Sequence, residues 1–171
     1  MHHFKLKFSP EDLSSYAKRY DYRTDVILDN VVISSKGKGF LTKSDFLKIC
    51  EWKTPRSKPL CASNSEEFIR EITFIALKTK TDQLRIEILT LLKGVSWPTA
   101  SVILHFCHDL EFPIIDFRAL YSLGYDEVPN YNYIFWKNYT DYCRGLGSKL
   151  NLDLRTIDMG LWQYSKEKQN E

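Results

Sequence analysis

No C-x-x-C pair occurs among the four cysteines, Cys50, Cys61, Cys107 and Cys143, so the spacing of a structural zinc site is missing. The four-cysteine run of an iron–sulfur cluster is missing as well. The neighbours of these cysteines are apolar and read as helical. Four buried free thiols are therefore expected, and with them a reducing, cytoplasmic setting. No signal peptide and no apolar run of membrane length is read, so no membrane partner is expected. A strong excess of one charge is lacking too, since the formal net charge is only +2. A strongly basic domain would announce nucleic acid by itself. Here a nucleic-acid face has to come from local clustering of charge. There is no internal repeat, no low-complexity tract and no convincing strand alternation. No metal or cofactor is expected.

What is present suits one domain, or two small lobes sharing a cleft, at 171 residues. Hydrophobic residues make up 43%, enough for a packed core, and aromatics reach 14%. Stacking on bases is one use for such rings and core packing is the other. The fold class expected is all-α.

Start and stop signals place the helices. Ser9-Pro10-Glu11-Asp12 opens one, with a Ser cap, Pro in the first turn and acids near the positive end of the dipole. Asp25 to Ser34 reads as a helix despite its β-branched residues. Lys36-Gly37-Lys38-Gly39 reads as a break. Thr42 opens a helix to about Trp52, and Asn64-x-x-Glu67 reads as a capping box for one through about Lys78. Between them, Lys53 to Pro59 is a basic loop whose two prolines argue against helix. Thr81 or Asp82 caps a helix ending at Leu92, apolar on most sides and so expected in the heart of the fold. Phe117–Leu123, stopped by Gly124, then Tyr133–Leu146 and Arg155–Lys168 complete the set.

The stretch Leu91 to Gly124 carries the chemistry. Gly94 permits a sharp turn with positive φ. Val95 can plug the turn into the core. Pro98 suits the first turn of a new helix, and Thr99, Ala100 and Ser101 are small enough for close helix approach. The product is a helix, a tight hairpin and a helix over Leu91–Phe106. Its outward N–H groups suit a phosphate, without base specificity.

These residues resemble the helix-hairpin-helix DNA glycosylases (the HhH-GPD superfamily). Leu92-Lys93-Gly94-Val95-Ser96-Trp97-Pro98-Thr99-Ala100-Ser101 is similar to their hairpin, roughly L-P-G-[VI]-G-x-[KSW]-[TV]-A. Ile114-Ile115-Asp116-Phe117-Arg118 is similar to the segment holding their catalytic Asp, and Asp116 follows Pro98 by 18 positions, the family spacing. The chain also looks like members of a bacterial group sharing W-K-[ST]-P-R and L-W-Q-Y-S-K, here Trp52–Arg56 and Leu161–Lys166.

The resemblance implies one helical domain of two lobes, roughly 1–55 with 125–171 and 56–124 with the hairpin, and Asp116 at the mouth of their cleft. It implies a monomer acting on double-stranded DNA with a flipped base. Asp116 is the implied catalytic residue, stabilising an oxocarbenium-like transition state or orienting water. Lys93, Gly94, Ser96, Trp97, Thr99, Arg118, Lys53 and Arg56 are the implied DNA contacts, and Trp52 an implied pocket residue. Pro98 stands where bifunctional relatives carry a Schiff-base Lys, so base removal without strand cleavage is implied. Ser96 departs from the second hairpin glycine and Arg118 from the usual His or Asn.

Blander readings stand beside these. Asp116 precedes a short helix and suits an N-cap. Arg118 suits a phosphate or an ion pair with Asp116. Trp97 suits the core or a DNA contact, and the Lys53–Lys58 turn suits solvent. His105 and His108 suit satisfied or exposed positions. Tyr131, Tyr133, Phe135, Trp136, Tyr139 and Tyr142 suit core packing at helical spacing. A non-catalytic nucleic-acid-binding module and a helical protein-interaction domain are the alternative functions.

Overall fold

The computed structural model describes residues 4–110 and 112–169. It is all-helical, with ten α-helices and no strand among the described residues. They are α1 (Leu13–Lys18), α2 (Val26–Lys38), α3 (Lys43–Lys53), α4 (Lys58–Ala62), α5 (Glu66–Lys78), α6 (Asp82–Leu89), α7 (Trp97–Cys107), α8 (Phe117–Ser122), α9 (Tyr133–Leu150) and α10 (Leu154–Lys168). None of them is long and apolar enough to cross a membrane.

The chain divides into two units. Met1–Asp21 with Phe112–Glu171 forms the first, and Tyr22–Glu111 the second. α2 and α3 pack on α7 and so join the hairpin's unit, while α8 packs on α10.

In the first unit α1 runs along α10. Gly160 makes this possible, because a Cβ there would stand 2.7 Å from the Leu13 carbonyl oxygen. The N-terminal segment is pinned to the end of α8 by main-chain bonds, Lys5 N–H to Leu123 O at 3.1 Å and Lys7 N–H to Ser122 O at 3.0 Å. Leu13, Phe112, Phe135, Trp136, Tyr139 and Leu161 form its core. The rings of Phe112 and Trp136 stack at 5.5 Å.

In the second unit Leu28, Val31, Phe46, Ile49, Ile69, Ile86, Val102 and Leu104 are buried together with the aliphatic body of the hairpin helix. The cap at Thr42 forms as expected, its hydroxyl oxygen accepting from Asp45 N–H at 3.2 Å. All four cysteines are buried and free. Burial pushes the Cys107 thiol up to about 11 and that of Cys143 up to about 12.

Four expectations fail for identifiable reasons. The break at Lys36–Gly39 is shorter than expected: α2 continues through Gly37 to Lys38, and only Gly39 turns left-handed, at φ 76°. Packing on α3 and α7 carries the helix past Gly37. The basic loop is partly helical, because Pro59 occupies the first turn of α4, where no N–H is needed. The cap of α5 is Ser65, which accepts from Phe68 N–H at 3.2 Å, and Asn64 has another task. Finally, α6 ends at Leu89, and Leu84 and Leu91 are 45% and 61% exposed. Ile86 and Leu89 are buried on α6, and with them Arg85, whose guanidinium donates to the Ala76 and Thr79 carbonyls that end α5. A cation is stabilised at such a terminus, which lets it leave water.

Candidate functional site

The hairpin in the second unit is built around Gly94. Its φ is 81°, and a Cβ there would lie 2.7 Å from Cys61 Sγ and 2.9 Å from Cys61 N. Only glycine fits both the backbone and the space against α4. Val95 N–H closes the turn on Leu92 O at 3.0 Å, and the Val95 side chain is buried. Asn64, buried at the end of α4, clamps the residue before the turn. Its Oδ1 accepts from Lys93 N–H at 2.9 Å. Its Nδ2 donates to Lys93 O and to Cys61 O, both at 2.9 Å. Nothing in the sequence flagged this role, since the partners are 29 positions apart.

Ser96 stands at the N-cap position of α7 in an extended conformation, φ −105° and ψ 176°, which a side chain adopts without strain. The helix ladder begins with Ala100 N–H to Ser96 O at 2.9 Å. The N–H groups of Gly94, Ser96, Trp97 and Thr99 consequently find no acceptor among the described residues. Pro98 has no N–H to satisfy. Together these donors and the positive end of α7 offer a cradle for an anion.

The side chains of the hairpin differ in exposure. Lys93 and Ser96 are exposed and Trp97 and Pro98 half-buried. Thr99 is 1% exposed, and its hydroxyl has no partner among the described residues. It can serve a ligand only through its N–H, because the small residues of α7 face inward to let neighbouring helices approach. Lys53, half-buried, ends α3, and Arg56 is exposed on the turn that leads into α4 beneath the hairpin. Trp52 is half-buried edge-on to Phe106, with ring centroids 5.6 Å apart. This ties α3 to α7. Lys58, in the same turn, pairs with Glu51 at 2.8 Å.

The carboxylate lies in the first unit. Asp116 is fully extended (φ −155°, ψ 175°), and its Oδ1 accepts from Ala119 N–H at 2.9 Å. It is thus the N-cap of α8 and 7% exposed. Two tyrosines from later in the chain feel its charge. Burial pushes the Tyr131 phenol up, and the Asp116 carboxylate pushes it further. Tyr139 is raised by burial above all, with Asp116 among smaller contributions. Tyr139 donates to the Ile114 carbonyl at 2.7 Å, which fixes the strand-like run leading to Asp116.

Arg118 makes no ion pair with Asp116 or with any other described residue. Its guanidinium lies over the rings of Phe117 and Trp162, at 5.1 Å and 5.2 Å. Among the described residues no group of three or more His, Cys, Asp or Glu is placed to hold a metal.

No protein-family model matches the chain, and no curated protein matches it. Among solved structures the fold is similar to a Methanocaldococcus jannaschii 8-oxoguanine glycosylase/lyase in complex with a 15mer DNA containing 8-oxoguanine. The two are 17% identical, the match covers 92% of this chain and 87% of that one, and the TM-score is 0.52. At that identity the likeness establishes a shared fold.

Proposed function

We propose that this chain is a DNA N-glycosylase that removes a modified base from a flipped-out nucleotide and leaves the strand intact. The observation that carries the reading is a pair of features on a glycosylase-like fold. One is a hairpin with unclaimed N–H groups at Gly94, Ser96, Trp97 and Thr99. The other is an extended Asp116, 18 positions after Pro98.

Each part has a chemical task. The hairpin donates N–H bonds to a backbone phosphate, with Lys93 adding charge, and so holds DNA of any sequence. As the C1′–N bond breaks, its electron pair leaves with the base, and the sugar gains positive charge. The Asp116 carboxylate stabilises that charge. Water then attacks C1′ and gives up a proton to Asp116, which releases it to solvent, while the departing base takes one proton from solvent. The result is a free base and an abasic sugar. A lyase step would need an amine to attack C1′. Pro98 offers none at the position where the resemblance places a lysine, so the strand survives.

The test is incubation with duplexes carrying 8-oxoguanine, uracil, alkylated purines or modified cytosines. The expected product is an abasic site that breaks only after alkali, and Asp116→Asn should lose it while still binding duplex. If no substrate on the panel yields an abasic site, or if Asp116→Asn keeps full rate, the assignment fails. The burial of Asp116 and its bond to Ala119 favour one second reading, a module that binds nucleic acid without chemistry. Tight salt-dependent binding with no product would select it.

A further inference from the structure

The segment Leu161–Lys166 has no part in the chemistry above, yet its Trp162 organises a cluster. Arg118 on α8 places its guanidinium carbon 5.2 Å from the Trp162 ring centroid. Lys166 on α10 places its Nζ 5.1 Å from the same centroid. Tyr20 meets that indole edge-on at 5.3 Å. The two cations therefore stand no more than about 10 Å apart, held by one half-buried ring through cation–π attraction.

Neither cation has an acidic partner among the described residues. Among the described residues, no hydrogen bond or ion pair is made by the Arg118 guanidinium or by Lys166 Nζ. Arg118 Nη1 is shut off from solvent without an acceptor. The acids of this region are committed elsewhere. Glu167 takes two bonds from Arg19, both at 2.9 Å, which hold its carboxyl down at about 2. Asp158 pairs with Arg155, and Asp116 caps α8. Two like charges gathered without a counter-charge, one of them partly desolvated, form a site that lacks its anion.

We propose that Arg118, Lys166 and Trp162 form a phosphodiester-backbone site in the first unit, additional to the hairpin and blind to base sequence. The inference rests on the reading of the chain as a DNA-acting protein. Phosphate suits the pair because Arg offers a planar fork and Lys a mobile point charge. Successive phosphates of a strand fit two cations within about 10 Å of each other.

The test is fluorescence anisotropy with a labelled, undamaged duplex of about 20 base pairs, titrated at several salt concentrations from about 50 to 200 mM. Wild type is compared with Arg118→Gln, Lys166→Gln, the double variant and Arg118→Lys. The plot of log affinity against log salt should flatten by about 0.9 for each single neutral variant and about 1.8 for the double. The loss should be equal for unrelated sequences, and Arg118→Lys should keep the slope. Lys166 is exposed, so Lys166→Gln reports even if Arg118→Gln misfolds. A wild-type slope in Lys166→Gln and in a folded double variant overturns the site, as does an equal loss of affinity for poly-glutamate, which would mark a generic acid-binding surface. The readout needs no base release, so a missing glycosylase product sinks the catalytic reading alone. Absence of duplex binding by wild type sinks both.

Discussion

Asn64 grips both main-chain polar groups of Lys93, accepting from its N–H and donating to its C=O at 2.9 Å each. A side-chain amide thereby stands in for the backbone pairing that a tight hairpin cannot supply for itself. The same Nδ2 holds Cys61 O, and the Cys61 sulfur lies where a side chain on Gly94 would go. One buried residue thus sets the height of the turn above α4.

Asn64→Ala should cost about 1–3 kcal/mol of unfolding free energy, because it strands buried main-chain groups. Duplex affinity should fall with it, since Gly94 and Ser96 would no longer be held in place. Urea denaturation and anisotropy check the two effects. A stable Asn64→Ala with unchanged DNA affinity would show that the clamp does not govern the hairpin.

Gly94→Ala should be worse than an ordinary surface change. It forces a Cβ to within 2.7 Å of Cys61 Sγ at a φ of 81°, and the left-handed backbone alone costs about 1–3 kcal/mol. The companion variant Cys61→Ala clears the sulfur but leaves Cys61 N at 2.9 Å. The double variant should therefore recover only part of the loss. Full recovery in urea melts would contradict the backbone argument.

Asp116 separates capping from charge. Asparagine caps a helix about as well as aspartate, whereas alanine loses about 1 kcal/mol. Asp116→Asn should melt near wild type and Asp116→Ala several degrees lower, while base release disappears in both. Scanning calorimetry beside the product assay makes the comparison. Equal melting of the two variants would show that the bond to Ala119 carries no stability.

His108 should give the second unit a pH response. Burial lowers its pKa below the ordinary 6.5, and the neighbouring Arg85 charge lowers it further. The unfolded chain then binds the proton more readily than the folded one. The stability from the neutral ring is complete above pH 6.5 and is lost as pH falls from there toward the folded value. The urea midpoint of wild type should drop between about pH 7 and 5 more steeply than that of His108→Gln. Parallel curves would remove His108 from the account.

Local signals read well in this chain because their causes are local. The Thr42 and Asp116 caps, the Gly94 turn and the proline at the start of α7 each act within a few residues. The all-α class followed from them. Asn64 misled for the converse reason: its pattern satisfies a capping box, yet its amide serves Lys93, far along the chain. The apolar run on α6 overstated burial, because nothing within it shows that Arg85 turns inward to meet the carbonyls of α5. Arg118 could not be assigned either, since its ring partner Trp162 lies two helices later. Side chains whose partners are set by tertiary packing leave no periodic trace.

The division of the chain also fixes an order of assembly during synthesis. The second unit, Tyr22–Glu111, is continuous, so it can fold on the ribosome once those residues have emerged. The first unit is split, and α1 must wait for α10, the helix against which it packs. Throughout translation of the middle, the segment containing Leu13 stays a nascent strand of exposed apolar surface, with its docking groove not yet made.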